Sequence, residues 1–140
     1  MRSLIHSIIP AAIVALVGCG SSELHTHDGR VVLQDASEFV FSGDVLELRL
    51  ETNPLQRAFG HIESDGSFHI ETLDAGKIAS GVRGGVYQAR IVLSDDDPQH
   101  VKLASMAIDR KFTRFETSGL RVQVPSKDVV LHVSARACAK

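Results

Sequence analysis

The feature that most constrains the fold of this chain is a series of short segments in which apolar and polar residues alternate. Residues 45–51 show it most clearly, because Leu46, Leu48 and Leu50 fall on one side of an extended strand and mostly polar residues fall on the other. No such segment has a sustained helical period, and Gly, Asp, Asn and Pro separate them. The pattern predicts an all-β, antiparallel sandwich of about seven strands without crossover helices. The predicted strands are residues 30–33, 45–51, 59–63, 68–72, 86–93, 111–115, 120–124 and 129–133.

A tight turn is predicted at residues 64–67. Asp65-Gly66 readily adopts the positive φ that a hairpin turn requires. A turn centred there places His61 and His69 opposite each other on neighbouring strands. We interpret them as a cross-strand pair on the surface.

The longer connections are less regular. Residues 74–86 contain four glycines and are predicted to form a loop. The acidic residues 95–97 end the preceding strand and are expected to form a solvated loop. A calcium site is disfavoured there because successive side chains of an extended run point in opposite directions. Residues 98–107 leave two alternatives open: a short helix started by Pro98, or an irregular connection.

The N-terminus has the features of an export signal. Arg2 is basic, and the apolar run that follows is shorter than the roughly 20 residues that a membrane-spanning helix needs, so residues 1–18 are predicted to be a signal-peptide helix. Residues 16–19, with the sequence Leu-Val-Gly-Cys, resemble the lipobox of bacterial lipoproteins. The resemblance implies cleavage between Gly18 and Cys19, with a diacylglycerol and an N-acyl lipid on Cys19 that anchor the protein in a membrane.

The processed chain is predicted to consist of a short tether and one domain. Residues 19–28 would be a lipidated, flexible tether, and residues 29–140 the sandwich. Gly20 is not the aspartate that favours retention at the inner membrane in well-studied envelopes, so we expect the outer membrane. Cys138 would then lack an intramolecular partner, which leaves a bystander thiol or an intermolecular disulfide.

Three segments together resemble the transthyretin-like, or carboxypeptidase-regulatory-like, domain of small planctomycete-type lipoproteins. They are residues 65–72 (Asp-Gly-Ser-Phe-His-Ile-Glu-Thr), residues 85–91 with Tyr87, and residues 111–124. The resemblance implies a seven-stranded, prealbumin-like Greek-key sandwich, and it implies no activity. The chain departs from the family in its opening strand and in Asp109, near which the family has a proline.

Charge and aromatic content exclude nucleic acid as an expected partner. The 15 Lys and Arg residues are outnumbered by 17 Asp and Glu residues, and the chain has no Trp and only one Tyr. Such a chain offers neither a basic footprint nor an aromatic platform for bases.

The best candidate metal ligands are His25, His27 and Asp28. In an extended strand the two histidines project to the same side, and Asp28 adds an oxygen donor suitable for Zn²⁺ or Cu²⁺. The alternative is a solvated tether that binds nothing. A metal-handling lipoprotein is therefore the second candidate function, and otherwise no cofactor is expected.

No enzyme is predicted, because the sequence contains no Gly-x-Ser-x-Gly nucleophile elbow and Cys138 has only His132 close to it in sequence. Tyr87 is expected to have a core or corner role. The first candidate function is therefore a structural or binding module for an envelope protein or a polysaccharide. An accessory domain for an extracellular hydrolase is a third. The predicted binding loops are residues 73–86, with the exposed Arg83, and 94–107.

Overall fold

A computed structural model describes residues 23–34 and 41–136 of the chain. The predicted signal helix, Gly18, Cys19 and Cys138 lie outside the described residues. Within them the backbone forms eleven strands and two helices. The strands are β1 (Leu24–His25), β2 (Asp28–Gln34), β3 (Val45–Leu50), β4 (Arg57–His61), β5 (Ser67–His69), β6 (Glu71–Asp74), β7 (Lys77–Ser80), β8 (Val82–Arg83), β9 (Gly85–Val92), β10 (Leu120–Val124) and β11 (Val129–Ser134). The helices are α1 (Pro98–Ala107) and α2 (Phe115–Ser118).

The strands form three sheets that give a sandwich-like, all-β fold, as predicted. A six-stranded sheet has the order β10-β9-β3-β4-β6-β7, a three-stranded sheet has the order β11-β2-β5, and β1 pairs with β8. All pairs are antiparallel except β2 with β11, which run parallel. The structure has more strands than the seven expected, because several short ones lie in segments predicted to be irregular.

The core lies between the large and the small sheet. Leu46 and Leu48 of β3 are fully buried, as the alternating pattern predicted, and so is Ala89 of β9, which pairs with Leu48. Val31 of β2 and Val133 of β11 face them from the three-stranded sheet and are buried as well. Burial of these apolar side chains is the main source of stability for the sandwich.

Residues 98–107 form a helix, which resolves the two alternatives that the sequence left open. The Asp97 carboxylate accepts a hydrogen bond from the Gln99 N–H at 2.9 Å, and Pro98 occupies the first turn. Among the described residues, no helix is long and apolar enough to cross a membrane.

The strand predicted at residues 111–115 is wrong. Arg110–Thr113 form a 3₁₀ turn capped by Asp109, and α2 follows. Phe112 and Phe115 are both buried, and their spacing of three residues suits one side of a helical turn, whereas a strand would point them to one face only at even spacing. Asp109 caps this turn, since its carboxylate accepts a hydrogen bond from the Lys111 N–H at 3.0 Å.

The loop predicted at residues 74–86 is also wrong in its central part. It contains β7 and β8, and a two-residue turn at Ala75 and Gly76 joins β6 to β7. Strand β7 does not show the alternation of apolar and polar residues, because it lies at the edge of the large sheet and is mostly exposed.

The predicted flexible tether differs from the structure from Leu24 onward. Strand β1 pairs with β8, and His27 is only 1% exposed. The Ile70 N–H donates to the His27 carbonyl at 2.9 Å, so this segment is held by the sandwich. Residues 24–28 therefore belong to the domain.

Candidate functional site

Three side chains from separate strands form a continuous hydrogen-bonded chain on the surface. His69 Nδ1 bonds to the Asp28 carboxylate, and His69 Nε2 lies 2.5 Å from Ser80 Oγ. Asp28 comes from β2, His69 from β5 and Ser80 from β7. The order carboxylate, imidazole, hydroxyl is the arrangement in which an imidazole can take a proton from a serine.

Strand register places these residues together. Asp28 and His69 are directly paired in the antiparallel β2–β5 ladder, so their side chains share a face. Ser80 pairs with Glu71 at the end of the β6–β7 hairpin. Gly81 follows Ser80 with φ of +97°, and a Cβ there would lie 2.6 Å from the His25 carbonyl oxygen, so a larger residue would push β1 away.

An open depression of about 380 Å³ adjoins this chain. Its lining combines carboxylates and imidazoles: Asp28, Gly29, His61, Glu63, Ser67, Phe68, His69 and Glu71. The Ile62–Phe68 bridge and the Phe59–Glu71 pair share one register, which sets His61 across from His69 as the Asp65-Gly66 turn predicted. The depression is lined by three carboxylates, so it suits uncharged or cationic groups better than anions.

The predicted metal site is not formed. Within residues 23–34 and 41–136, no group of three or more His, Cys, Asp or Glu side chains is placed to hold a metal ion. His25 lies in β1, His27 is buried, and Asp28 bonds to His69. Burial lowers the pKa of His27, although the neighbouring Asp28 charge opposes the shift. Its Nε2 has no hydrogen-bond partner among the described residues.

Arg83 is exposed, as predicted, but it is not isolated. Its guanidinium lies 3.8 Å from the Asp74 carboxylate, and its carbonyl accepts a hydrogen bond from the Tyr87 hydroxyl at 2.8 Å. Tyr87 is fully buried, in agreement with its expected core role, and burial raises its pKa. Arg83 therefore connects the β6–β7 hairpin to the core.

The first described strand, β1, begins beside an exposed apolar surface. Leu24, Leu55 and Leu73 line one depression of about 330 Å³. Leu55 is 91% exposed, and Leu73 and its cross-strand neighbour Ile78 are each 65% exposed. We call Leu24, Leu55, Leu73 and Ile78 the apolar rim. Large apolar side chains grouped in this way often mark a contact surface.

An arginine cluster lies on the outer face of the large sheet. The guanidinium groups of Arg49, Arg57 and Arg90 lie 4.3, 5.0 and 4.8 Å from the centre of the Phe115 ring. Glu47 pairs with two of these arginines, and Glu116 pairs with Arg49. Because two glutamates pair with the three arginines, most of the positive charge is neutralised, and the cluster serves to attach α2 to the sheet.

No protein-family model, curated protein or solved structure matches this chain. The sequence predicted the opposed histidines but missed the link from His69 to Asp28 and Ser80. No local spacing could have revealed it, because the three residues lie 41 and 11 positions apart and meet only through sheet pairing.

Proposed function

We propose that this chain is a lipid-anchored protein of the cell envelope whose β-sandwich is a binding module held close to the membrane surface. The proposal combines the lipobox resemblance at residues 16–19 with the position of the apolar rim. The transthyretin-like resemblance is consistent with a small sandwich in such a protein. An outer-membrane location remains the preferred one because of Gly20.

The observation that carries the proposal is the short distance along the chain between the lipidation residue and the rim. Only four residue steps separate Cys19 from Glu23, and four extended residues reach about 14 Å at most. Strand β1 begins at the next residue, Leu24, which itself lines the depression with Leu55 and Leu73. A lipid on Cys19 would keep the exposed Leu55 and Leu73 within reach of the bilayer interface, where their burial is favourable.

The binding surface is best assigned to the β6–β7 hairpin and the acidic depression beside it. Strand β7 is the edge of the large sheet, and an open edge can pair with an extended segment of a partner. The carboxylates and imidazoles that line the depression can also form hydrogen bonds with the hydroxyl groups of a polysaccharide. An envelope protein or a polysaccharide therefore remains the expected partner class.

Metabolic labelling with an alkyne fatty acid tests the anchor. The parent and a Cys138→Ser control should incorporate the label and fractionate with membranes, whereas Cys19→Ser should lose the label and leave the membrane fraction. Cross-linking in native membranes, followed by mass spectrometry, would identify a partner. Equal labelling of Cys19→Ser and the parent would overturn the anchor, and an unchanged cross-link pattern after deletion of residues 75–78 would overturn the binding surface.

A further inference from the structure

The hydrogen-bonded chain from Asp28 through His69 to Ser80 goes beyond the proposed binding role. We propose that Ser80 is a nucleophile that accepts the acyl group of an uncharged ester, with His69 as general base and Asp28 as the residue that orients it. The sequence predicts no enzyme because it lacks a local nucleophile motif. Sheet pairing supplies the constellation instead, and such constellations are recognised by geometry and roles.

The bonding pattern sets the proton positions. A carboxylate only accepts hydrogen bonds, so His69 Nδ1 carries a hydrogen directed at Asp28. In the neutral imidazole, Nε2 then has a free lone pair, and the Ser80 hydroxyl donates to it across 2.5 Å. This is the tautomer that a general base needs in order to take the hydroxyl proton.

A donor for the developing oxyanion is available at Ser80 itself. The Gly81 N–H donates to the Ile70 carbonyl at 2.8 Å, so the next pair along this antiparallel ladder, Glu71 with Ser80, is the non-hydrogen-bonded kind. The Ser80 N–H therefore points away from β6. Because β7 is the last strand of its sheet, that N–H faces the open edge, where it can donate to a substrate oxygen.

The neighbours of Ser80 indicate the substrate class. Ile78 lies two residues earlier on the same face, opposite Leu73, and both are largely exposed. They offer an apolar surface for an acyl chain. Glu71 stands directly across from Ser80 and disfavours an anionic substrate by charge repulsion. Neutral esters with an aliphatic acyl group therefore fit the surface around Ser80 best.

The reaction proceeds in two balanced steps. Ser80 Oγ forms a bond to the acyl carbon, the ester C–O bond to the alcohol breaks, and the Ser80 proton passes through His69 Nε2 to the departing alcohol oxygen. Water then forms a bond to the acyl carbon while His69 takes a proton from it, the bond between the acyl carbon and Ser80 Oγ breaks, His69 returns the proton to Ser80 Oγ, and the carboxylic acid leaves. No oxidant, metal or cofactor is needed.

The test uses the full-length protein in detergent, a biotinylated alkyl fluorophosphonate and p-nitrophenyl butyrate. We expect the phosphonyl group on the Ser80 peptide by mass spectrometry, with labelling and ester hydrolysis lost in Ser80→Ala. His69→Gln and Asp28→Asn should lower the hydrolysis rate constant by about 100-fold or more. Ser105→Ala is the matched control, because Ser105 lies on α1, outside the lining of the depression, and its hydroxyl donates to the Lys102 carbonyl at 2.9 Å; it should keep the parent rate.

Two results would overturn the proposal. One is a parent protein whose Ser80 peptide carries no more adduct than the peptides of other exposed serines, a result that does not depend on the folding of any variant. The other is a rate that remains at the parent level in Ser80→Ala with an unchanged melting curve. Labelling of Ser80 in Cys19→Ser separates this site from the anchor, since the nucleophile should react with or without the lipid.

Discussion

The Nε2 atom of His100 lies 2.8 Å from Oδ1 of Asp44, a carboxylate that is completely buried immediately before β3. The same oxygen accepts the Ser94 N–H at 2.8 Å. Asp44 thus ties the first turn of α1 and the end of the preceding segment to the large sheet. The other carboxylate oxygen is buried without a hydrogen-bond partner among the described residues, so the group depends heavily on these two contacts.

Removing the Asp44 carboxylate should lower the stability of the domain. We expect Asp44→Ala to lower the free energy of unfolding by about 3 kcal/mol, because it leaves the Ser94 N–H and the His100 imidazole without their shared acceptor. Asp44→Asn should cost less, since its amide oxygen still accepts from Ser94. Urea unfolding followed by circular dichroism measures both, with the exposed Asp95→Ala as control. Equal midpoints for Asp44→Ala and Asp95→Ala would contradict the assigned role.

The buried His27 should make the domain less stable in mild acid. Its pKa is lowered by burial, so between the folded value and the ordinary value near 6.5 the unfolded chain binds a proton that the folded chain does not. Stability should therefore be full above about pH 7.5 and fall as the pH drops through 6.5 and below. Melting temperatures from pH 8 to pH 5 measure this.

His27→Leu provides the comparison for this titration. Leucine has a similar volume and no proton to gain, and the Nε2 that it replaces makes no hydrogen bond among the described residues. The variant should show a flatter decline than the parent toward pH 5, whereas the exposed His61→Gln should follow the parent. A parent and a His27→Leu variant with parallel curves would show that another group is responsible.

The alternating pattern predicted the strands that have one face in the core and the other face exposed. It did not predict the mostly exposed edge strand. Strands β3, β10 and β11 alternate because one face of each meets the core, and that requirement is visible in the residues. Strand β7 at the sheet edge has no such requirement. The strand prediction at residues 111–115 is wrong because Phe112 and Phe115 are buried at a spacing of three residues, which fits a helical turn and does not fit a strand.

The candidate site could not be predicted from the sequence for a related reason. Local spacing can show that His61 and His69 are opposed, because one turn relates them. It cannot show that Asp28 reaches His69, because that contact depends on the pairing of β2 with β5, which are separated by two intervening strands of the other sheet. The prediction that residues 24–28 are flexible also argued against a fixed contact between Asp28 and His69.

Tyr87 offers a direct spectroscopic measurement, since it is the only tyrosine and the chain has no tryptophan. Burial raises its pKa, so absorbance at 295 nm should show ionisation above pH 10 in the folded protein and near pH 10 in urea. Stability should fall as the pH rises past 10, because the unfolded chain loses the proton first. Tyr87→Phe should cost about 1 kcal/mol by removing the bond to the Arg83 carbonyl. A folded-state midpoint at or below 10 would contradict this.

The apolar rim predicts which surface meets the bilayer. In a Cys138→Ser background, Leu55→Cys carrying an environment-sensitive fluorophore should be quenched by brominated lipids when the lipidated protein is reconstituted into vesicles. Leu103→Cys on α1 is the matched control, because Leu103 is also an exposed leucine, 63% accessible, but lies outside the depression that contains Leu24. The physical reason is geometric: the proposed anchor, four residues before Glu23, would restrict the domain to orientations that keep the Leu24 end near the lipid. Equal quenching at both positions would mean that the domain tumbles freely on its anchor and that the rim serves another contact.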